Sequence, residues 1–226
     1  GGVRKRHGSG DTVGQGNTMN IEKVNGFWVP SNDVHLKDWK AGQQFTQNKC
    51  LLKFLDYCQT QNKKFNTVID IGAWCGTWAK ALEPFAKKVI AFEPDKVHFA
   101  CLERNCTINC DPRQEAVGSE IKHISLTEDD FTQAKRVEKE GDIRMVTLDS
   151  LSYGNVDLVK IDVEGYEMEV LKGANNTLAS TQYLMIELNN NTKKYGSSNI
   201  DVEKHIKSLG FKLLLEHWPD KVFYRT

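Results

Sequence analysis

Long apolar runs and an excess of charge of either sign are both missing from this chain of 226 residues. No stretch approaches the roughly 20 consecutive apolar residues that a membrane span needs, so we expect no membrane association. Lysine plus arginine and aspartate plus glutamate each number 30, which gives a formal net charge of zero at pH 7. A neutral chain has no overall electrostatic attraction to polyanions, and we therefore expect no nucleic-acid partner.

Paired cysteine motifs are missing as well. The six cysteines are Cys50, Cys58, Cys75, Cys101, Cys106 and Cys110. They contain no C-x-x-C pair, so we predict no zinc site and assign no metal ligands. No secretory apolar segment precedes the domain, and we therefore expect six reduced thiols in a cytoplasmic protein.

The chain length suits one domain with a modest extension. Residues 1–18 are polar and glycine-rich, and we predict a flexible leader or tag remnant there. Residues 19–65 contain several large aromatic side chains and a helical pattern over Gln47–Gln59, which predicts a segment that packs onto the domain. Residues 66–226 form the predicted domain itself.

Apolar strand patterns alternate with amphipathic helical patterns through this domain, which predicts a doubly wound, Rossmann-like α/β fold with a mainly parallel sheet. The predicted strands are Thr67–Asp70, Lys88–Glu93, Arg113–Val117, Val156–Asp162, Tyr183–Leu188, Lys212–Leu215 and Val222–Tyr224. The predicted helices are Trp78–Ala86, Lys96–Asn105, Tyr166–Lys172 and Asp201–Ser208. The last two strands are joined by too few residues for a crossover helix, so they should pair antiparallel. Residues 119–143 are charged and poorly periodic, and we expect a surface excursion there.

A glycine-punctuated turn follows the first predicted strand of the domain. Gly72 and Gly76 allow the backbone to approach a ligand closely. Glu93 ends the next strand and is followed by Pro94, and an acid at this point can accept hydrogen bonds from both hydroxyls of a ribose. Turn and acid together predict an adenosine-cofactor site.

Two cofactors compete for this site, NAD and S-adenosylmethionine. A dinucleotide turn is expected to read G-x-G-x-x-G, whereas this turn has Trp74 at the position of the middle glycine. A bulky side chain there disfavours a pyrophosphate, while the neighbouring Asp70 suits a cofactor with an ammonium and a sulfonium. The pattern therefore favours S-adenosylmethionine.

Three motifs resemble the FkbM family of class I S-adenosylmethionine-dependent methyltransferases. They are Val68-Ile69-Asp70-Ile71-Gly72-Ala73, Val89-Ile90-Ala91-Phe92-Glu93-Pro94 and Val159-Lys160-Ile161-Asp162-Val163-Glu164-Gly165-Tyr166-Glu167. The resemblance implies a seven-stranded, mainly parallel sheet with an antiparallel C-terminal strand. It also implies methyl transfer to a hydroxyl of a sugar, glycan or other small molecule.

The resemblance also implies which residues form the cofactor site. Asp70, Gly72 and Gly76 would hold the methionine end, Glu93 the ribose, and Glu115, Ala116 and Val117 would lie near the adenine. Ala73, Trp74, Pro94 and Asp162 complete the predicted cofactor-binding set, and Trp74 stands where the family usually has a small polar residue. Asp162, Glu164 and Glu167 would face the acceptor.

Methyl transfer from a sulfonium needs an acceptor oxygen in line and a group that takes its proton. We predict that Asp162 or Glu164 is this base. Alternatively, both could hold a divalent cation with Glu187, although we favour the base. Lys160 could stabilise the deprotonated acceptor, and His35 is a further candidate base.

The predicted function is therefore S-adenosylmethionine-dependent O-methylation of a small-molecule or glycan hydroxyl. Two alternatives stay open, an NAD-dependent oxidoreductase on a similar sheet and a non-catalytic module that binds an adenosine cofactor. The oligomeric state is not predicted.

Overall fold

A computed structural model describes residues 20–43, 48–128 and 135–226. The predicted leader at 1–18 lies outside the described residues. In chain order the strands are Ile21–Val24 (β1), Phe27–Pro30 (β2), Phe65–Ile71 (β3), Ala86–Phe92 (β4), Cys110–Arg113 (β5), Ala116–Val117 (β6), Lys122–Glu128 (β7), Lys135–Val146 (β8), Leu158–Ile161 (β9), Tyr183–Glu187 (β10), Lys212–His217 (β11) and Asp220–Tyr224 (β12). The α-helices are Leu36–Lys40 (α1), Lys49–Thr60 (α2), Thr77–Leu82 (α3), Lys96–Asn105 (α4), Glu167–Lys172 (α5), Asn175–Ser180 (α6) and Asn199–Ser208 (α7).

Seven strands form the central sheet, in the order β11-β12-β10-β9-β3-β4-β5. The five strands from β10 to β5 run parallel to one another, and β12 lies antiparallel between β10 and β11. This topology confirms the predicted doubly wound sheet with its antiparallel C-terminal strand. Parallel strands end at the same edge, so the loops after β4, β3, β9 and β10 meet there.

Both faces of the sheet are buried. Along β3, Val68 belongs to one apolar layer and Ile69 to the other, and Leu158 and Val159 divide in the same way along β9. Successive side chains of a strand point to opposite faces, so a strand covered on both sides reads as a continuous apolar run. This is why the central strands could be predicted from the sequence. No helix in the described part of the chain is both long and apolar enough to cross a membrane.

A β-hairpin occupies much of the region in which no regular structure was predicted. Strands β7 and β8 pair antiparallel, and β6 pairs in parallel with the end of β8. For the surface excursion expected over residues 119–143 no regular structure was assigned from the sequence, and its described part is this hairpin. The predicted strand Arg113–Val117 is divided between two sheets. Charged residues alternate irregularly with the few apolar ones here, which hid the two-residue period of the strands.

The hairpin at the start of the described chain packs against α4. This hairpin, β1 with β2, contacts α4 through Asn105, a buried side chain. The Asn105 amide donates to the carbonyl oxygens of Trp28 and Cys75 at 2.8 Å each, and its oxygen accepts the Trp28 N–H at 2.8 Å. One side chain thus joins the N-terminal segment to the glycine turn.

The cysteines correct one prediction. Cys106 and Cys110 form a disulfide, whereas Cys50, Cys58, Cys75 and Cys101 are free and buried. The expectation of six free thiols is therefore wrong for two of them. The pair flanks the short connection from α4 to β5 with Cα atoms 5.4 Å apart, a separation that a disulfide can span.

Replacing Asn105 tests the link between the N-terminal segment and the domain. We expect Asn105→Ala to lower the free energy of unfolding by about 2–3 kcal/mol, because three hydrogen bonds of about 1 kcal/mol each are lost in a buried setting. Urea unfolding measures this change. Asn176→Ala, at an exposed position of α6, is the matched control and should leave the stability nearly unchanged. An equal stability of both variants would contradict the proposed link.

Candidate active site

The glycine turn follows β3 and is packed tightly against the neighbouring strand end. Gly72 has a φ of +74°, and a Cβ added there would lie 1.7 Å from the carbonyl oxygen of Asp162. The position therefore excludes every residue except glycine. The N–H groups of Gly72 and Ala73 both donate to the carbonyl oxygen of Phe92, at 3.0 and 2.9 Å.

The next N–H groups of the turn are also used within the protein. Trp74 donates to Oε2 of Glu93 at 2.8 Å, and Gly76 donates to the carbonyl oxygen of Ala73 at 2.8 Å. A dinucleotide turn presents such N–H groups to a pyrophosphate. In this turn those of Gly72, Ala73, Trp74 and Gly76 are already hydrogen-bonded.

Glu93 is held at the end of β4. Its second oxygen, Oε1, accepts the N–H of Asp95 at 2.8 Å, and its side chain is almost fully buried. Burial raises the pKa of Glu93 to about 8, although the N–H donors of Asp95 and Trp74 lower it. Glu93 is thus an oriented carboxyl group at the place where the sequence predicts a ribose ligand.

Lys160 occupies the centre of the site. Its ammonium lies 3.0 Å from Oδ1 of Asp70 and 3.7 Å from Oδ2 of Asp162, and it donates to the carbonyl oxygen of Gly72 at 2.9 Å. Burial lowers the pKa of Lys160, but attraction to Asp70 and Asp162 outweighs it and the pKa is raised. Lys160 is therefore a buried cation that connects two strands and the glycine turn.

Three acids meet at the ends of β9 and β10. Asp162, Glu164 and Glu187 offer carboxylate oxygens that lie within 4.8 Å of one another. Burial, followed by the charge of Asp162, raises the pKa of Glu187 to about 10, so this residue holds a proton at neutral pH. We call these three residues the acid cluster. Its spacing would also allow a divalent cation to bind.

Glu164 owes its orientation to its backbone and to two amides. Its φ is +54°, a left-handed conformation that is uncommon for any residue other than glycine. The amides of Asn189 and Asn191 donate to Oε2 of Glu164 at 3.2 and 3.0 Å, and Asn189 also donates to Glu187 at 3.0 Å. Burial raises the pKa of Glu164, and these donors oppose the shift.

A cavity of about 610 Å³ opens at this edge of the sheet. Its volume lies in the usual range for small-molecule sites, about 300–1,000 Å³. The predicted site residues that line it are His35, Gly72, Ala73, Trp74, Glu93, Pro94, Glu115, Ala116, Val117, Lys160, Asp162 and Glu164. Residues from distant parts of the chain are thus brought together in one cavity, and Glu187 of the acid cluster also lines it.

Asp70, Gly76 and Glu167 lie outside the lining of this cavity. Asp70 is fully buried, and its Oδ1 lies 3.0 Å from the ammonium of Lys160, which does line the cavity. Gly76 has a φ of +90° and packs against Leu102 of α4. Glu167 turns back to accept the N–H groups of Gly165 and Val163 at 3.0 and 3.3 Å. These three residues shape the loops that carry the lining residues.

An aromatic row forms one wall of the cavity. Neighbouring ring centroids lie 5.8 Å apart for His35 and Trp39, 5.6 Å for Trp39 and Trp74, and 6.1 Å for Trp74 and His98. His35 is exposed at the end of this row, and its backbone N–H donates to Oδ1 of Asp33 at 2.8 Å. Trp74 therefore forms part of the wall and leaves the cavity open.

Several residues of this site were not predicted from the sequence. Leu126 and Val137 of the β7–β8 hairpin supply apolar lining, and no periodic signal marked them. Asn189 and Asn191 orient the acid cluster, and the polar run that follows a buried strand at Glu187 is a signal that could have found them.

The strand order and the cavity at the carboxyl ends of the strands define a class I methyltransferase fold. A family model described as "Methyltransferase FkbM domain" matches residues 70–213. The match covers more than half of the chain, and the chain belongs to the FkbM methyltransferase family.

Relatives with names or solved structures agree with this family. Hexuronic acid methyltransferase AglP of Haloferax volcanii is 31% identical over 130 residues, which are 53% of this chain and 54% of that protein. The chain therefore spans about half the length of this curated relative.

Two solved structures show the same fold. Methyltransferase FkbM from Methylobacillus flagellatus KT aligns with a TM-score of 0.52 and 18% identity, over 71% of this chain and 43% of that one. Magnesium protoporphyrin IX methyltransferase from Synechocystis PCC 6803, solved with bound SAM, aligns with a TM-score of 0.51 and 11% identity, over 86% and 93%.

The raised pKa of Glu187 predicts a pH effect on stability. Folded Glu187 keeps its proton to about pH 10, whereas the unfolded residue loses it near the ordinary value of 4.5. The folded state therefore binds the extra proton, and the stability of the natural protein should fall relative to Glu187→Gln as the pH rises from about 5 to about 9.

Urea unfolding of both proteins across this pH range measures the effect. Glu103→Gln, at an exposed position of α4, serves as the control and should show a constant difference from the natural protein. A stability difference for Glu187→Gln that stays constant with pH would contradict the raised pKa.

Proposed function

We propose that this chain is an S-adenosylmethionine-dependent O-methyltransferase that acts on a sugar hydroxyl. The observation that carries the proposal is the presence of Glu93 and the acid cluster in one cavity. Strands β4 and β10 are separated by two others, so Glu93 and Glu187 stand about 14 Å apart at a strand spacing of about 4.8 Å. A nucleoside bound at Glu93 can then direct its reactive end towards the acids.

The residues of the cavity suit this cofactor. Glu93 would accept hydrogen bonds from the ribose hydroxyls, and Ala116, Val117, Leu126 and Val137 offer an apolar surface for the adenine. Carboxylates around Asp162 favour the positive charge of a sulfonium and an ammonium. When bound, the cofactor supplies an electrophilic methyl group.

The alternatives receive less support. An NAD-dependent oxidoreductase needs a turn that presents free N–H groups to a pyrophosphate, and the turn from Gly72 to Gly76 uses four of its N–H groups internally. A non-catalytic binding module has no need of three carboxyl groups gathered within 4.8 Å of one another at the ends of β9 and β10. Both observations support a methyltransferase.

We assign the role of general base to Asp162. It is the member of the acid cluster that lies beside the Lys160 ammonium, and its side chain is 29% exposed and can reach an acceptor. The Asp162 carboxylate would take the proton of the acceptor hydroxyl. A bound S-adenosylmethionine would supply the methyl group, whose bond to sulfur breaks as its bond to the acceptor oxygen forms, and S-adenosylhomocysteine would leave. Glu164 and Glu187 orient the acceptor through hydrogen bonds.

Lys160 is a positioning residue in this mechanism. Its three donor directions are taken up by Asp70, Gly72 and Asp162, and its side chain is 3% exposed. His35 lies on the exposed rim, where it would contact the outer part of an acceptor. A sugar acceptor is supported by the name of the relative AglP and by the density of carboxyl and amide groups, which pair well with hydroxyls.

Cofactor binding is the first test. We expect calorimetry to show binding of S-adenosylhomocysteine and no binding of NAD to the natural protein. Glu93→Gln should weaken S-adenosylhomocysteine binding about tenfold, because a carboxyl oxygen that accepts a ribose hydrogen bond is replaced by an amide NH₂ group that cannot accept one. Glu103→Gln should bind like the natural protein. Binding of NAD with no signal from S-adenosylhomocysteine would refute the proposal.

The base is tested separately from cofactor binding. Asp162→Asn should lower kcat at least about 100-fold, because the proton acceptor is removed, while S-adenosylhomocysteine affinity changes by less than about threefold. Release of S-adenosylhomocysteine in the presence of a sugar panel gives the rate. A kcat for Asp162→Asn equal to that of Glu103→Gln would remove Asp162 from the mechanism.

A further inference from the structure

The charge of the acceptor can be inferred from the lining of the cavity. We infer that the chain methylates a sugar that is uncharged where it enters the cavity and that it discriminates against a sugar carboxylate. This inference rests on the proposed function, because it concerns the acceptor of that reaction. It concerns the charge of that acceptor, which neither the fold nor the family specifies.

Acidic residues outnumber basic ones in the lining. Six described lining residues are acids: Asp33, Glu93, Glu115, Asp162, Glu164 and Glu187. Lys160 is the only lysine or arginine among the lining residues that the structure describes. At the acid cluster, a carboxylate on the acceptor would meet the charge of Asp162 beside the carboxyl groups of Glu164 and Glu187, with Lys160 as the described lysine that lines the cavity there.

Lys160 cannot give that compensation. Its ammonium already contacts the Asp70 carboxylate at 3.0 Å and the Gly72 carbonyl oxygen at 2.9 Å, and both charged side chains are buried. Redirecting Lys160 to a ligand would leave the Asp70 charge buried without a partner, which is strongly unfavourable. The Lys160 ammonium is therefore already paired with the carboxylates of Asp70 and Asp162.

Other cationic groups near the cavity are also engaged. Arg144 pairs with Glu115, and His98 lies on the Glu93 side, with Nδ1 at 3.5 Å from Asp95 and 3.9 Å from Glu93. Lys194 approaches Glu164 closely enough to lower its pKa but does not line the cavity. Arg144 and His98 thus lie beside acids outside the acid cluster, and Lys194, although it acts on Glu164, does not line the cavity in which an acceptor would bind.

The acid cluster itself shows that negative charge is already crowded there. Glu187 keeps its proton because burial and the neighbouring Asp162 disfavour a second charge. A further carboxylate about 6 Å from Asp162 would reduce binding at least about tenfold at an effective dielectric constant of about 20–40. Neutral hydroxyls meet no such penalty, since they can donate hydrogen bonds to the carboxylates and can accept one from the protonated Glu187.

The inference separates this chain from a relative of the same fold. The relative AglP is named for hexuronic acid, an acidic sugar, and shares 31% identity over 130 residues. A common fold with a different charge at the acceptor is compatible with this level of identity, because a fold does not by itself determine the substrate.

A matched set of acceptors tests the inference on the full chain with S-adenosylmethionine. The set contains methyl glycosides of a hexose, the corresponding hexuronic acid and the corresponding hexuronamide, each in the gluco, galacto and manno configurations. We expect kcat/KM for the best hexose and its hexuronamide to exceed that for the hexuronic acid at least about tenfold. The hexuronamide controls for size, since it differs from the acid mainly in charge.

One variant links the preference to the acid cluster. Glu164→Gln should narrow the ratio of kcat/KM between the neutral and the acidic sugar, whereas Glu103→Gln should leave the ratio unchanged. Equal or faster turnover of the hexuronic acid by the natural protein would overturn the inference, as would a hexuronamide as poor as the acid. Binding of S-adenosylhomocysteine without methylation of any sugar would instead overturn the proposed function, and this inference with it.

Discussion

The buried ion pair between Lys160 and Asp70 is the interaction on which the rest of the site depends. A charge so far from water is stable only when an opposite charge and hydrogen bonds compensate it. Lys160 obtains both from the end of β3, from the carbonyl oxygen of Gly72 and from Asp162. The same ammonium therefore fixes the glycine turn and the first acid of the cluster relative to each other. Trp78 covers it from one side, with its ring centroid 5.6 Å from the ammonium.

The order of the strands places the other site residues on either side of the Lys160–Asp70 pair. Because β3 and β9 are neighbours, the turn and Asp162 meet directly, and Gly72 is needed because no side chain fits against the Asp162 carbonyl. Strand β4 lies beside β3 and strand β10 lies beside β9, so Glu93 and Glu187 stand on opposite sides of this central pair of strands. In the proposed function, Glu93 is the group that would bind the ribose, and the acid cluster is the group that would face the acceptor.

The central strands, most helices and the acidic strand ends could be predicted because each is a local pattern. β3, β4, β9 and β10 are apolar runs, and Glu93 and Asp162 stand directly after such runs. The ion pair of Asp70 with Lys160 could not be predicted, since an acid at the end of a strand has the same sequence pattern whether it binds a ligand or pairs with a lysine of the neighbouring strand. The β7–β8 hairpin was missed because charged side chains obscure its alternation, and Glu167 was expected at the acceptor although it binds the backbone of its own turn.

A crystal structure of the chain with S-adenosylhomocysteine is the most direct test of the central claim that one cavity holds a nucleoside at Glu93 and an acceptor at the acid cluster. The account predicts both ribose hydroxyls on the Glu93 carboxyl group and the sulfur facing Asp162, with the Lys160–Asp70 pair intact. A ribose bound elsewhere in the cavity, or a sulfur directed away from Asp162, would contradict it.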